Sequence, residues 1–147
     1  MGQKNRAWIE LYKENLHHNV KQLSSLLPNR CRLMPAVKAN AYGHGAVPIS
    51  KMLEEIGINS FSVASVEEGI ELREAGIQGD ILVLSYTHPS KFEELLQFDL
   101  QQVAVDRAYA AVLQADGRRF KVHVGIDTGM HRLGERCENI DEICEIW

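Results

Sequence analysis

Short apolar runs recur along this chain, separated by polar stretches and small residues. Five of them read as buried strands, around residues 32–37, 60–64, 80–84, 102–105 and 120–126. They run apolar with little alternation, as strands covered on both faces do. Helical spacing lies around and between them. Leu16, Val20, Leu23 and Leu27 form a stripe at helical intervals ahead of the first strand. Ser65-Val66-Glu67-Glu68 is a capping box that predicts a helix ending near Gly76. Pro89 suits the first turn of the next helix. Asp106 can cap a helix through Ala115, and Asn139-Ile140-Asp141-Glu142 opens a last one.

Strand followed by helix, repeated, is the signature of parallel βα units, because a parallel neighbour needs a crossover connection. The expected class is therefore α/β. A doubly wound sheet and a (β/α)8 barrel both fit the repeat. Five strands would leave a barrel of eight with two open edges. The chain is accordingly expected to be part of a longer protein, or to be completed by another chain. Trp147 falls inside the last expected helix with no C-cap after it.

Composition narrows the classes of partner. The 16 Lys and Arg against 20 Asp and Glu leave a net charge of −4 with no basic block, which argues against nucleic acid. No apolar run approaches the roughly 18 residues of a membrane span, so no membrane contact is expected from this segment. Residues 1–6 lead into Trp8-Ile9-Glu10 rather than an apolar leader, and a cytoplasmic location is expected. Cys31, Cys137 and Cys144 are odd in number and lack a CxxC pair, which reads as free thiols in a reducing compartment.

Candidate chemistry gathers at two strand ends. Lys38 closes the apolar run Leu33-Met34-Pro35-Ala36-Val37 and precedes a small-residue turn with Gly43 and Gly45. A lysine at a strand end is most often simply solvated. This one lies at the carboxyl end of its strand, where parallel α/β folds build their sites. A partly desolvated amine there is a usable nucleophile toward an aldehyde, which is what a pyridoxal phosphate enzyme asks of its lysine. Gly43 and Gly45 would let backbone approach a ligand, with a helix start offering N–H groups to a phosphate. Tyr42 reads either as a core aromatic or as a donor to a phosphate or to the lysine. His44, between the glycines, has no evident partner and reads as exposed.

The second place is His123-Val124-Gly125-Ile126-Asp127-Thr128-Gly129-Met130-His131-Arg132-Leu133-Gly134. Asp127 and Thr128 either build an Asx-type turn or take part in a site. Arg132 suits a bidentate carboxylate clamp, with a plain surface arginine as the alternative. His123 and His131 lack a third partner at metal-ligand spacing, so no metal site is expected. Ser85 and Tyr86 end the third strand on the same rim, without a specific role.

These stretches resemble the alanine racemase family, pyridoxal phosphate enzymes whose N-terminal domain is a (β/α)8 TIM-type barrel. Residues 36–45, AVKANAYGHG, match its cofactor-lysine motif. Residues 61–69 and 72–77 look like its second βα unit, residues 81–84 like its third strand, and residues 127–134 like its DTGMxRLG segment. The resemblance implies that residues 1–147 are about the first five βα units of that barrel, with the family's C-terminal β-domain absent. It implies that Lys38 holds pyridoxal 5'-phosphate and serves as one of two catalytic bases, that Tyr42 bonds the cofactor phosphate, and that Arg132 lies near the substrate carboxylate. The second base, in the family, is a tyrosine from the C-terminal domain of the other subunit. A homodimer interconverting L- and D-alanine or serine for peptidoglycan follows as the expected whole. This segment by itself is expected to be inactive, because it supplies one base of two.

One position departs from the family pattern. A lysine modified to a carbamate often stands two residues after the histidine of the fifth strand, where it orients the arginine. Here that position is Gly125. Gly125 together with residues 130–135 looks more like the racemase domains of membrane-anchored serine/alanine racemases of glycopeptide resistance. A pyridoxal phosphate decarboxylase of the same barrel type shares the Val-Lys-Ala-Asn core. Residues 41–45 favour the racemase form over it.

Overall fold

Polar side chains start the helices where the pattern predicts. The Ser65 hydroxyl accepts from the Glu68 amide at 3.4 Å and opens helix α4, Val66–Glu74. The Asp106 carboxylate accepts from the Tyr109 amide at 2.6 Å and opens α6, Arg107–Asp116. Pro89 begins a single 3-10 turn, Pro89–Lys91, that leads into α5, Phe92–Gln97. The remaining helices are α1, Lys13–Ser25, a short left-handed α2, Lys38–Tyr42, then α3, Ala46–Glu54, and α7, Ile140–Ile146. The structure, a computed structural model, describes residues 7–146. The readings made on residues 1–6 and on Trp147 lie outside the described residues.

Four strands form one parallel sheet in the order β1-β2-β3-β4: Ser60–Val63, Asp80–Val83, Gln101–Ala104 and Val122–Val124. Phe61 pairs with Ile81, Val83 with Gln102, and Ala104 with Val124. Ahead of β1, Ala36 bridges to Ser62 in parallel. The spatial order therefore follows the chain order without a reversal. A doubly wound sheet reverses at a switch point, whereas a barrel does not. The repeat that fitted both resolves to an arc of a TIM-type barrel.

The first strand is much shorter than the 32–37 run predicted. Ser62 donates to the Pro35 carbonyl and Val37 donates to the Ser62 carbonyl, each at 2.9 Å, which makes one bridge. The next rung toward the amino end would need an N–H from residue 35, and proline has none. The Ser60 hydroxyl instead meets the Leu33 carbonyl at 2.9 Å. The fifth predicted strand, 120–126, is also interrupted. It ends at Val124, and the chain resumes after Gly125 as β5, Ile126–Asp127, paired with β6, Glu135–Arg136. The two strands pass closely: a Cβ on Gly134 would lie 2.7 Å from the Asp127 nitrogen.

The core sits between β1–β3 and the helices outside them. Phe61, Val63, Leu72, Ile77, Ile81, Val83 and Phe92 are wholly covered. Leu16 and Val20 of α1 pack against this cluster, but Leu23 stays exposed, so the predicted stripe is only half used. Between the strands the interior is polar at one point. The buried Gln102 amide donates to the carbonyls of Ser85 at 2.7 Å and Val103 at 2.8 Å, and its oxygen accepts from Thr87 at 2.6 Å. Both donors and the oxygen of that amide group thereby have a partner.

At the amino rim of the sheet, Arg73 gathers the turns that enter β2 and β3. Its guanidinium donates to the carbonyls of Phe98, Ile77, Gly79 and Asp99 at 2.6 to 3.0 Å. Burial lowers the Arg73 pKa, against the opposing pull of Asp99, Asp80 and Glu54. The Glu54 carboxylate accepts from the amides of Gln78 at 2.9 Å and Gly79 at 3.2 Å on the same rim. No helix among the described residues is long and apolar enough to cross a membrane.

Candidate active site

All the predicted site residues fall at the carboxyl rim of the sheet. Lys38 follows the bridged first strand directly and is half-buried. The residues after it, Ala39 to Tyr42, take φ values of 50–54°, a left-handed turn built without glycine. Such a conformation costs an L-residue about 1–2 kcal/mol each, so neighbours must impose it. They do so at Ala39, Asn40 and Ala41. Ala41 donates to the Val37 carbonyl at 2.8 Å and is itself buried. The Asn40 carbonyl accepts from Gly43 at 3.0 Å and Gly45 at 2.9 Å, while its side-chain oxygen accepts from Ala46 at 2.8 Å. Asn40 thus caps α3 from outside the helix. The Ala39 amide donates to Glu68 at 2.7 Å.

The glycines of this motif serve the chain's own path. Gly43, φ 91°, closes the turn, and a Cβ there would meet open space. Gly45, φ 95°, lets the chain pass Pro48, whose Cγ would lie 2.7 Å from an added Cβ. Tyr42 projects from the turn with 63% of its surface exposed, so the core-aromatic alternative falls away. His44 is exposed as expected, with Nδ1 2.9 Å from the Ala41 carbonyl.

The rim after β2 is held from α6. The Tyr109 hydroxyl donates to the Thr87 carbonyl at 2.9 Å and accepts from the Thr87 amide at 3.2 Å. Burial raises the Tyr109 pKa, so it stays a neutral donor. Its ring lies 4.7 Å from that of Tyr86, which keeps half its surface open on the rim.

After β4, Asp127 organises the loop. Its Oδ1 accepts from the amides of Gly129 and His131, both at 2.9 Å, and its Oδ2 lies 2.9 Å from His131 Nδ1. The His131 and Gly129 amides hold its carboxyl down at a pKa of about 2. Of the two readings of Asp127, the turn is the one realised. Arg132 follows this turn and is exposed, without an ion pair among the described residues. At Gly125, a Cβ would lie 3.0 Å from Val103 Cγ1 and 3.2 Å from the Ala104 carbonyl, a tight fit that asks these neighbours on β3 to give slightly.

The structure brings Lys38 and Tyr42 together in one turn and puts Arg132 four strand intervals away along the same rim. In a closed barrel of eight, strands one and five face each other across the mouth. Two residues went unrecognised in the sequence as parts of this site, Asn40 and Glu68. Glu68 was visible only as the fourth letter of a capping box. The family model for the alanine racemase N-terminal domain matches residues 12–147. The chain belongs to this family.

An amino-acid racemase of Enterococcus faecalis is 45% identical over 138 residues, 94% of this chain and 19% of that protein. A serine/alanine racemase of Enterococcus gallinarum is 39% identical over 142 residues, 97% of this chain and 20% of that protein. The solved alanine racemase of Clostridium difficile 630 superposes with a TM-score of 0.77 at 34% identity, over 90% of this chain and 37% of that one. The chain therefore spans about a fifth of these two curated relatives and under two fifths of the solved alanine racemase. Within the alanine racemase family, the rim carrying Lys38, Tyr42 and Arg132 is the mouth of the barrel domain.

Proposed function

We propose that this chain is the lysine-bearing part of a pyridoxal phosphate-dependent racemase acting on alanine or serine. One observation carries the reading: in a chain of the alanine racemase family, Lys38 ends the first strand in a left-handed turn bonded by Val37, Gly43, Gly45, Ala46 and Glu68. A backbone conformation so constrained marks a place where geometry matters more than local stability.

The residues present suit the cofactor. Lys38 offers one primary amine, free of ion pairs among the described residues, for an aldehyde. Tyr42 offers an exposed phenol within the same turn for a phosphate. Bound there, the cofactor ring would serve as the electron sink that stabilises negative charge on the substrate α-carbon. Lys38 would accept or return the α-proton on its own face, within hydrogen-bond reach. Arg132, across the mouth, would hold the substrate carboxylate through its planar fork. The opposite face needs a second base, and none of the residues placed here is assigned to it. On this reading residues 1–147 alone do not racemise, and the working protein is a homodimer of longer chains. It would act in the cytoplasm, supplying D-amino acids for peptidoglycan.

The experiment is racemisation in deuterium oxide with pyridoxal phosphate by the longer protein that carries residues 1–147, offering L-alanine and L-serine separately. Deuterium is expected at the α-carbon as the optical rotation decays. Lys38→Ala is expected to lower the rate by at least about 10³-fold. No exchange with either amino acid at saturating cofactor would refute the proposal.

A further inference from the structure

We infer that Glu68 is a positioning residue for Lys38, fixing the peptide bond that follows the lysine and with it the direction in which the amine leaves the rim. The inference rests on the reading of Lys38 as the cofactor lysine. In an ordinary capping box the glutamate carboxylate returns to the N-cap amide. Here it reaches past that point. One oxygen accepts from the Ala64 amide, at the end of β1, at 2.7 Å. The other accepts from the Ala39 amide, also at 2.7 Å, across 29 residues of chain. The Ala39 N–H belongs to the peptide joining it to Lys38. Ala39 is also where the backbone turns left-handed, at φ 50°. A single carboxylate thus ties the ends of two neighbouring parallel strands at the level where the lysine emerges.

Helix α4 does not depend on this arrangement for its start. The Ser65 hydroxyl already accepts from the Glu68 amide. The two oxygens are therefore committed to the rim. Their charge state is part of the device, because only a carboxylate accepts at both atoms. A glutamine of the same shape would turn an NH2 group toward one of the two N–H donors. Lys38 would then keep its place in the chain and lose its fixed direction.

The test uses the longer protein that carries residues 1–147, loaded with pyridoxal phosphate. Dialysis against cofactor-free buffer reads retention, and borohydride fixation followed by peptide mass reads attachment at Lys38. Glu68→Gln and Glu68→Ala are expected to weaken retention about tenfold or more. In turnover they are expected to lower kcat more than they raise KM, since the amine is misdirected rather than the substrate unbound. Ser65→Ala loosens the helix start while leaving the carboxylate, and is expected to retain cofactor normally. Equal loss of cofactor in Ser65→Ala, or unchanged retention in both Glu68 variants, overturns the inference. One reading needs no variant: the Ala39 amide of the unmodified protein is expected to exchange with deuterium as slowly as the Ala64 amide. Exchange at the unprotected rate overturns it equally. Failure of cofactor to attach at Lys38 in the unmodified chain is a separate result, which removes the functional proposal and this inference together.

Discussion

Helix α4 carries an acid in its first turn and a base near its last, and the two act in opposite senses at opposite rims of the sheet. Glu68, at the carboxyl rim, collects backbone N–H groups from two strand ends. Arg73, at the amino rim, gives N–H groups to four backbone carbonyls of two entering turns. The order of charges suits the helix macrodipole. The consequences differ. The amino rim consists of turns that only have to be stable. The carboxyl rim holds a backbone that local preference opposes, next to the lysine proposed above to hold the cofactor. In this fold, then, one helix stabilises at one end and orients at the other.

The comparison is broken most strongly at the amino rim. Arg73→Ala is expected to cost about 3 kcal/mol, since several charge-assisted bonds go and their carbonyls are left in a half-buried place. Urea unfolding measures it. Arg73→Lys should recover little, because an ammonium cannot span four carbonyls. The sharper part of the expectation is that Lys38 still takes up cofactor normally in whatever fraction remains folded. Loss of cofactor in proportion greater than loss of fold would abolish the distinction between the rims. Gly79→Ala belongs to the same end. Its added methyl would run into the Asn59 backbone, and about 2 kcal/mol of destabilisation is expected, again without effect on the lysine.

Asn40→Ala probes the other end with a smaller effect on stability. It removes the cap on Ala46 and the side chain best suited to a left-handed residue, about 1 kcal/mol in all. Its larger effect is expected on cofactor retention, because the turn it holds is the one that carries Lys38 and Tyr42. A variant that lost stability but kept cofactor would put Asn40 in the same class as Arg73.

How far the sequence foretells this molecule differs between the rims in the same way. Hydrophobic runs and caps announced the helices and the parallel sheet, because burial and capping are local and periodic. Lys38 and its motif announced the family. Neither Glu68 nor Arg73 announced its partner, since those partners are backbone groups, which look alike at every position. The short first strand was legible in principle: Pro35 lies inside the apolar run, and its missing N–H removes the rung. The strand repeat alone left barrel and doubly wound sheet open, because strand order is set by long-range pairing that a repeat does not encode; the motif resemblance is what pointed to the barrel. Gly125 was read as a missing lysine. The structure adds that its neighbours on β3 leave little room for a side chain there.

The smallest effect lies in the loop after β4, where the carboxyl rim has an organiser of its own. Asp127 has its pKa lowered from 3.8 to about 2 by the amides of His131 and Gly129. A carboxyl whose folded pKa is depressed contributes stability above its unfolded pKa and loses it as pH falls through the folded value. The Asp127 turn should therefore be intact above about pH 4 and loosen only as pH approaches 2. Amide shifts of Gly129 and His131, followed by NMR downward from about pH 5, are expected to titrate together with a midpoint near 2. A midpoint near 3.8, the ordinary value for aspartate, would mean that the turn does not hold the charge. Asp127→Asn should remove the titration and keep only the Oδ1 bonds, since an amide can still accept there. Arg132 follows directly on this turn, so a loosened loop should raise KM for the amino acid while leaving cofactor on Lys38. That outcome would separate the substrate side of the rim from the lysine side that Glu68 holds.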